Sequence, residues 1–249
     1  MRLHLCTWKE VETYLAEQTG IILPIGSTEQ HGPNGLIGTD ALCAEAVALK
    51  VGEKTGALVG PALSIGMAQH HLGFAGSVTL RPTTLIAVIC DVVNSLARHG
   101  FDRFFFINGH GGNVATASAA FSEVYAQASL ADGRSGLRCH MENWWQNEAV
   151  MKISRNLFAE SEGSHATPSE ASLTYHLFPD DAARVSSAEL SPKVAPKGPI
   201  YDAAEYRRRF ADGRIGSDPS LATGEAGEQL LAAATEVISA RYLEFLAED

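Results

Sequence analysis

Residues 21–40 read IILPIGSTEQHGPNGLIGTD. The first five of these residues are apolar, which predicts a short strand buried on both faces. A polar loop rich in glycine follows, and Thr39 or Asp40 can cap a helix that runs to Lys54. Buried strands and helical segments alternate in this way along the rest of the chain. The alternation predicts an α/β protein with a mainly parallel sheet and helices on its faces.

A second strand-and-loop unit lies in the middle of the chain. Residues 103–107 (RFFFI) predict a strand, and the turn that follows, residues 108–113, reads NGHGGN. Ligands of open α/β sheets bind outside the carboxyl ends of the strands, so both polar loops lie where a site would form if their strands are neighbours. Elsewhere, the sequence predicts a strand at residues 77–80 and a long surface loop over residues 180–199.

Composition argues against several classes of protein. The 249 residues include 19 Lys and Arg against 29 Asp and Glu, a formal net charge of −10. This acidic balance argues against nucleic acid or an anionic membrane as a partner, because both are bound by clustered Lys and Arg. No apolar run approaches the ~18 residues of a membrane-spanning helix. The four cysteines are far apart, which predicts reduced thiols in a cytoplasmic protein, and without a visible linker we expect residues 1–249 to form one domain.

Four side chains in the two loops carry donor atoms that suit a metal ion. Glu29 and His31 are two residues apart, so in extended backbone they project to the same side. Asp40 lies at a predicted helix start and could bridge two cations, while His110 lies between glycines that let the backbone pass close to a ligand. These oxygen and nitrogen donors suit Zn²⁺, Mn²⁺ or Fe²⁺ alike. Each residue alone also has a structural interpretation, as a solvated Glu, a hydrogen-bonding His or a capping Asp.

A third segment, residues 164–172, reads SHATPSEAS. Pro168 fits the first turn of a helix with Thr167 as its cap. Glu170 then lies in that first turn, where it either interacts with the helix dipole or ligates a metal. A capped surface helix is the alternative.

The remaining motifs carry less information. The pairs His70–His71 and Trp144–Trp145 could line a pocket, although paired tryptophans are also common in cores and interfaces. The glycines of residues 109–112 do not match a dinucleotide-binding pattern, because Val114 occupies the place of the third glycine. The sequence contains no G-x-S-x-G elbow, so a serine hydrolase is not supported.

Taken in order, the motifs resemble those of the creatininase (creatinine amidohydrolase) family. The first is ILPIGSTEQHGP at residues 22–33, which closes with GTD at 38–40. The second is NGHGGN at residues 108–113, and the third is HATPSEAS at 165–172. Residues 216–227 resemble the closing segment of the family. The resemblance therefore covers nearly the whole chain.

The resemblance implies a metal-dependent hydrolase of non-peptide C–N bonds, built as a three-layer α/β/α sandwich. Family roles would place Glu29, Asp40 and His110 on one divalent ion and His31 with Asp40 on a second. The cofactor implied is thus two divalent ions per chain, as Zn, Mn or Fe. The partners implied are a small-molecule substrate and further copies of the chain, in a homo-oligomer that is often a hexamer.

Other positions carry over with changes. His165 matches a His that assists proton transfer, and Glu170 matches an acidic residue near the metals. Creatininases proper have a metal-binding Glu where this chain has Gly112. That difference argues against creatinine as the substrate and makes Glu170 the expected replacement ligand as well as a catalytic residue. The first loop has Asn34 and Gly35 in place of the usual His and Leu, so we expect a different pocket rim. The expected pocket residues are His71, Gly111, Gly112, Trp144 and Trp145.

The sequence favours a two-metal amidohydrolase and leaves two alternatives open. One is a metal-dependent hydrolase of a lactone or a cyclic ketone, which could use the same activated water. The other is a catalytically inactive metal-binding paralogue, an interpretation that Gly112 keeps open. Neither the substrate nor the native metal follows from the sequence.

Overall fold

A parallel sheet lies at the centre of the protein. The computed structural model describes residues 1–131 and 136–248, and within them four strands form one sheet. The strands are β1 (Gly20–Ile25), β2 (Leu58–Val59), β3 (Arg103–Asn108) and β4 (Arg138–Asn143). Their order is β2-β1-β3-β4, and all neighbouring pairs are parallel. The predicted parallel α/β sheet is confirmed.

Helices cover both faces of this sheet. Phe105 and Ile107 of β3 pack in one hydrophobic core with α2, α5, α6 and α9, and Phe104 and Phe106 pack in another with α1, α3 and α4. The side chains of a strand alternate between its two faces, so the apolar run of β3 supplies both cores. The helices are α1 (Trp8–Leu15), α2 (Thr39–Thr55), α3 (Pro82–Ala97), α4 (Asn113–Leu130), α5 (Glu148–Phe158), α6 (Pro168–Leu177), α7 (Pro179–Val185), α8 (Ala203–Arg209) and α9 (Gly224–Leu246).

Two predictions about local structure are wrong. Residues 77–80 form no strand, because Val78 makes only an isolated bridge to Thr28 and the next residue, Thr79, turns its hydroxyl to the main chain of Ala68 and Leu80. The expected loop over residues 180–199 begins as helix α7, whose first turn has Pro179 followed by two aspartates. Proline and acidic residues favour a helix start, and here that local signal outweighs the polar composition of the segment.

The topology brings the two polar loops together. Strands β1 and β3 are neighbours, and Ile25 at the end of one is paired with Asn108 at the end of the other. Gly109 continues the pairing by donating its N–H to the Ile25 carbonyl at 2.8 Å. The loops that follow β1 and β3 therefore leave the same edge of the sheet, where a ligand site is expected.

No helix in the described ranges is both long and apolar enough to cross a membrane.

Candidate metal centre

The polar loop after β3 packs closely against the segment that follows β1 and is hydrogen-bonded to it. Gly109 leaves no room for a side chain, because a Cβ there would lie 2.0 Å from the main-chain oxygen of Asp40. Asn113 donates its Nδ2 to the Gly26 carbonyl at 3.0 Å and so ties the start of α4 to the end of β1. The glycine and the asparagine hold His110 against the residues that follow β1.

The five predicted metal ligands lie in one cluster around Asp40. The carboxylate of Asp40 is buried, with Oδ1 3.1 Å from His31 Nε2 and Oδ2 3.0 Å from His110 Nδ1. His110 Nδ1 is also 3.3 Å from Oε1 of the fully buried Glu29. Glu170 Oε1 lies 3.8 Å from His31 Nε2. Each oxygen of Asp40 thus faces a different imidazole.

Main-chain carbonyls fix the tautomers of both imidazoles. His31 Nδ1 lies 3.0 Å from the Glu29 carbonyl oxygen, and His110 Nε2 lies 3.1 Å from the Met67 carbonyl oxygen. A carbonyl oxygen only accepts, so each of these ring nitrogens carries a hydrogen. In the neutral ring the other nitrogen then presents a lone pair to the carboxylates. Histidines that ligate metals are oriented in this way by their second ring nitrogen.

The buried carboxylates lack hydrogen-bond donors. Both carboxylate oxygens of Glu29 and Oδ2 of Asp40 have no hydrogen-bond partner among the described residues. Lone pairs of carboxylate and imidazole face each other at about 3 Å, an arrangement that needs a proton or a cation between them. The donors within 4.8 Å of one another form three groups: Glu29–Asp40–His110, His31–Asp40–Glu170 and Glu29–His31–His165. Oxygen and imidazole donors in this arrangement fit divalent zinc, manganese or iron.

The pKa values reflect the same electrostatics. Burial opposes protonation of His31, but the carboxylates of Asp40, Glu170 and Glu29 outweigh it and raise the pKa of the ring to about 10. For His110, burial is likewise outweighed, by Glu29 and Asp40, and its pKa rises to about 9. Burial raises the pKa of Glu170 to about 7, with Asp40 adding to the effect of burial and His31 opposing it. A cluster that attracts protons this strongly also attracts cations.

Position 112 has no room for the ligand that creatininases proper carry there. A Cβ at Gly112 would lie 2.3 Å from His110 Nε2 and 2.6 Å from the Met67 carbonyl oxygen. Glu170 approaches the cluster from the first turn of α6 instead. Its Oε1 accepts the Thr167 N–H at 2.6 Å, and the Thr167 hydroxyl accepts the Glu170 N–H, so a capping box fixes the carboxylate.

His165 and His71 flank Glu29 from another side. His165 Nε2 lies 2.8 Å from the main-chain oxygen of Gln30, which leaves Nδ1 facing Glu29 Oε1 at 3.8 Å. His71 Nδ1 lies 2.9 Å from the Gln30 side-chain amide nitrogen, a donor, so its hydrogen is on Nε2. His71 Nε2 lies 3.1 Å from Glu29 Oε1, without a hydrogen bond between them. Burial, reinforced by neighbouring histidines, lowers the pKa of His71 to about 2, so the ring stays neutral.

A cavity of about 700 Å³ opens over the cluster. The five predicted pocket residues, His71, Gly111, Gly112, Trp144 and Trp145, all line it. Helix α5 and Ile200 also line the cavity with apolar side chains. Outside the cluster, the lining includes two charged residues, Arg155 and Glu162. The cavity therefore has a polar end at the cluster and a largely apolar side.

Sequence reasoning missed Gln30 and Tyr206, two residues of this site, whereas the pair His70–His71, expected as possible pocket residues, does line the cavity. Gln30 contacts both flanking histidines and the Gly213 carbonyl, but no spacing marks it as functional. Tyr206 lies on a helix distant in sequence, and its ring packs edge-on against His71. Such contacts depend on tertiary structure. The position of Gln30 between Glu29 and His31 was the one signal that could have marked it.

Comparisons with known proteins agree with the geometry. The family model Creatininase, described as creatinine amidohydrolase, matches residues 4–242. Creatinine amidohydrolase of Pseudomonas putida is 30% identical over 237 residues, 90% of this chain and 89% of that protein. The 3-dehydro-scyllo-inosose hydrolase of Thermotoga maritima is 27% identical over 241 residues, 92% of this chain and 75% of that protein.

A solved structure described as a manganese creatininase superposes with a TM-score of 0.86, at 27% identity over 99% of both chains. This similarity in fold, together with the family match over nearly the whole length, confirms the resemblance found in the motifs. The chain belongs to the Creatininase family, a family of metal-dependent amidohydrolases.

Proposed function

We propose that the protein hydrolyses a non-peptide C–N bond, of the cyclic amide or formamide type, with two divalent ions per chain. The observation that carries the proposal is the buried Asp40, whose two oxygens each face a ring nitrogen of a different imidazole, His31 or His110. Glu29, Asp40 and His110 would hold one ion, and His31, Asp40 and Glu170 the other. When bound, such ions lower the pKa of water and polarise a substrate carbonyl.

Two side chains of the cavity wall are placed to move a proton. Glu170 and His165 both line the cavity and both lie close to His31, Glu170 Oε1 at 3.8 Å from its Nε2 and the His165 ring at 4.6 Å between centroids. His165 keeps its own hydrogen on Nε2 through the Gln30 carbonyl and presents Nδ1 as an acceptor. Either group can pass a proton to the leaving nitrogen, which is the step that amide cleavage needs.

The surrounding residues bind and orient the substrate in this proposal. Gly111 and Gly112 let it approach His110 closely, and Trp144 and Trp145 supply a flat apolar wall. The two rings are nearly perpendicular, with centroids 6.4 Å apart. An apolar wall beside a polar cluster favours a small ring or a short chain that carries the amide at one end.

Three further features are proposed, the single domain and the cytoplasmic location on the sequence and the oligomeric state on the family resemblance alone. Residues 1–249 would act as a single domain, the chain would form a homo-oligomer with a hexamer as the expected form, and the protein would work in the cytoplasm.

A substrate panel tests the reaction class. Protein loaded with Mn²⁺, Zn²⁺ or Fe²⁺ would be assayed against formamides, cyclic amides including creatinine, lactones and ring ketones. We expect turnover of a formamide or cyclic amide and none of creatinine, because Gly112 replaces the creatininase ligand. Turnover confined to lactones or ring ketones would favour the alternative that the 3-dehydro-scyllo-inosose hydrolase relative suggests. Metal binding without any turnover would favour an inactive paralogue.

A further inference from the structure

One face of α5 forms a cavity wall outside the two metal-binding loops. Val150, Met151, Ser154 and Arg155 all line the cavity. Val150 and Ser154, like Met151 and Arg155, are four residues apart and therefore neighbours along the helix, and both pairs are turned toward the cavity. Among the described residues, Arg155 is the one Lys or Arg on the cavity lining.

Arg155 has no carboxylate partner among the described residues. Some exposed arginines on other helices pair with acidic residues three positions away, as Arg184 does with Asp181 and Arg208 with Glu205. The residues three and four positions from Arg155 are Met151, Lys152, Phe158 and Ala159. Over the described ranges Arg155 makes no ion pair, so its guanidinium charge is not neutralised by a neighbouring side chain.

The acidic residue on this side of the cavity lining is engaged elsewhere. Glu162 hydrogen-bonds to the Ser169 hydroxyl and forms no ion pair with Arg155. Burial raises its pKa, with hydrogen bonds from Ser169 and Ser154 opposing that shift. Arg155 therefore offers the cavity a cation in a protein whose net charge is −10. A small anion that enters the cavity from solvent would meet a favourable charge on this wall.

We propose that Arg155 binds a carboxylate on the substrate, at the end opposite the scissile amide. This inference rests on the proposed function and adds the substrate class: an amide or formamide that also bears a carboxylate. The planar guanidinium matches a carboxylate in two parallel hydrogen bonds. A single guanidinium in the last turn of α5, where the helix dipole is negative, favours a monoanion over a doubly charged phosphate.

Matched hydroxamates provide the test. Hydroxamates chelate divalent ions and would therefore bind at the cluster. The probes carry a carboxylate at the far end of an alkyl chain, and chains of increasing length cover the distance from the cluster to Arg155. The methyl ester of each probe serves as its uncharged control. Binding to the metal-loaded protein would be measured by calorimetry in the parent, in Arg155→Met and in Lys152→Met. Lys152 is the matched control, because it is a cation on the same helix that does not line the cavity.

For one chain length we expect the parent to bind the carboxylate about tenfold tighter than the ester, as a charge-assisted hydrogen bond at a partly exposed site provides. Arg155→Met should lose this preference and still bind the esters, while Lys152→Met keeps it. No preference at any length in the parent, or an unchanged preference in Arg155→Met, would overturn the proposal. Failure of every hydroxamate, esters included, would instead show that the proposed metal centre is wrong, and the inference would fall with it.

Discussion

At the level of single residues, two histidine rings of the site are oriented by ring N–H groups that point away from the carboxylate cluster. His31 and His110 each direct one N–H to a main-chain carbonyl, and this turns the other nitrogen of each ring toward Asp40. Nothing in the sequence near either His specifies that tautomer. The types of the ligands could be predicted from the two loops, but their orientation depends on carbonyls at Glu29 and Met67 that fold against them.

Glu170 should matter for turnover more than for stability. A Glu170→Gln substitution keeps the capping box with Thr167, since Gln also serves at that position, but removes the negative charge. We expect turnover to fall by about 10²-fold or more, the usual contribution of a proton-transfer group. The matched control is Glu225→Gln, a glutamate in the first turn of α9, which should leave turnover unchanged. Equal activity of Glu170→Gln and parent would contradict the role.

His71 should act as a positioning residue for Glu29. Replacing His71 with Phe removes the polar ring nitrogen that lies 3.1 Å from Glu29 Oε1. We expect metal affinity, measured by competition with a chelator, to fall by roughly 10–100-fold, as for other residues that orient metal ligands. His99→Phe, at an exposed position after α3, is the control. An equal loss of metal affinity in both variants would contradict a specific role of His71.

At the level of helices and strands, the apolar runs and helix caps predicted the sheet well. Strands β1 and β3 and helices α2 and α6 lie where the sequence placed them. Helix α5, which carries Arg155 and a cavity wall, was not predicted, although Asn147 caps it and Glu148 lies in its first turn. The false strand at 77–80 shows the opposite error, since no neighbouring strand among the described residues accepts its hydrogen bonds.

The close contact between the two loops should be disturbed by a side chain at Gly109 but not by one at Gly111. Gly109→Ala places a Cβ 2.0 Å from the Asp40 carbonyl oxygen, whereas a Cβ at Gly111 meets nothing within 4 Å. Overpacking of this kind costs about 1–3 kcal/mol, so Gly109→Ala should lower the free energy of unfolding in urea and weaken metal binding. Gly111→Ala should remain within about 0.5 kcal/mol of the parent. Equal stability of both variants would contradict the close contact between the loops.

At the level of the whole molecule, the metal site and the fold should be linked. The proposed ligands come from the loop after β1, from α2, from the loop after β3 and from α6, so the two ions together would join four parts of the chain. Free ion at about 100 times its dissociation constant should stabilise the protein by about 2.7 kcal/mol. For a chain of this size that corresponds to a rise in melting temperature of roughly 5–11 °C. His31→Ala removes a proposed ligand of one ion and should reduce the rise, and an equal rise in that variant would place that ion elsewhere.

Ion binding should also release protons. Without metal, the nearby carboxylates raise the pKa of His31 to about 10 and that of His110 to about 9, so both rings are protonated near neutral pH. Ligation requires them unprotonated. Affinity should therefore rise with pH through the neutral range and level off above these pKa values. Calorimetry in buffers of different ionisation enthalpy would count the protons released, and a count of zero at neutral pH would contradict the assignment.

Metal content per chain is the decisive quantity for the two-metal site. Protein purified without chelators, and His110→Ala prepared in parallel, would be analysed by mass spectrometry for divalent ions. We predict about two ions per chain in the parent, as a two-metal site requires, and a clear loss in the variant. A parent that stays metal-free after soaking in Zn²⁺, Mn²⁺ and Fe²⁺, or a variant that keeps the full metal content, would show that these side chains do not form a metal centre.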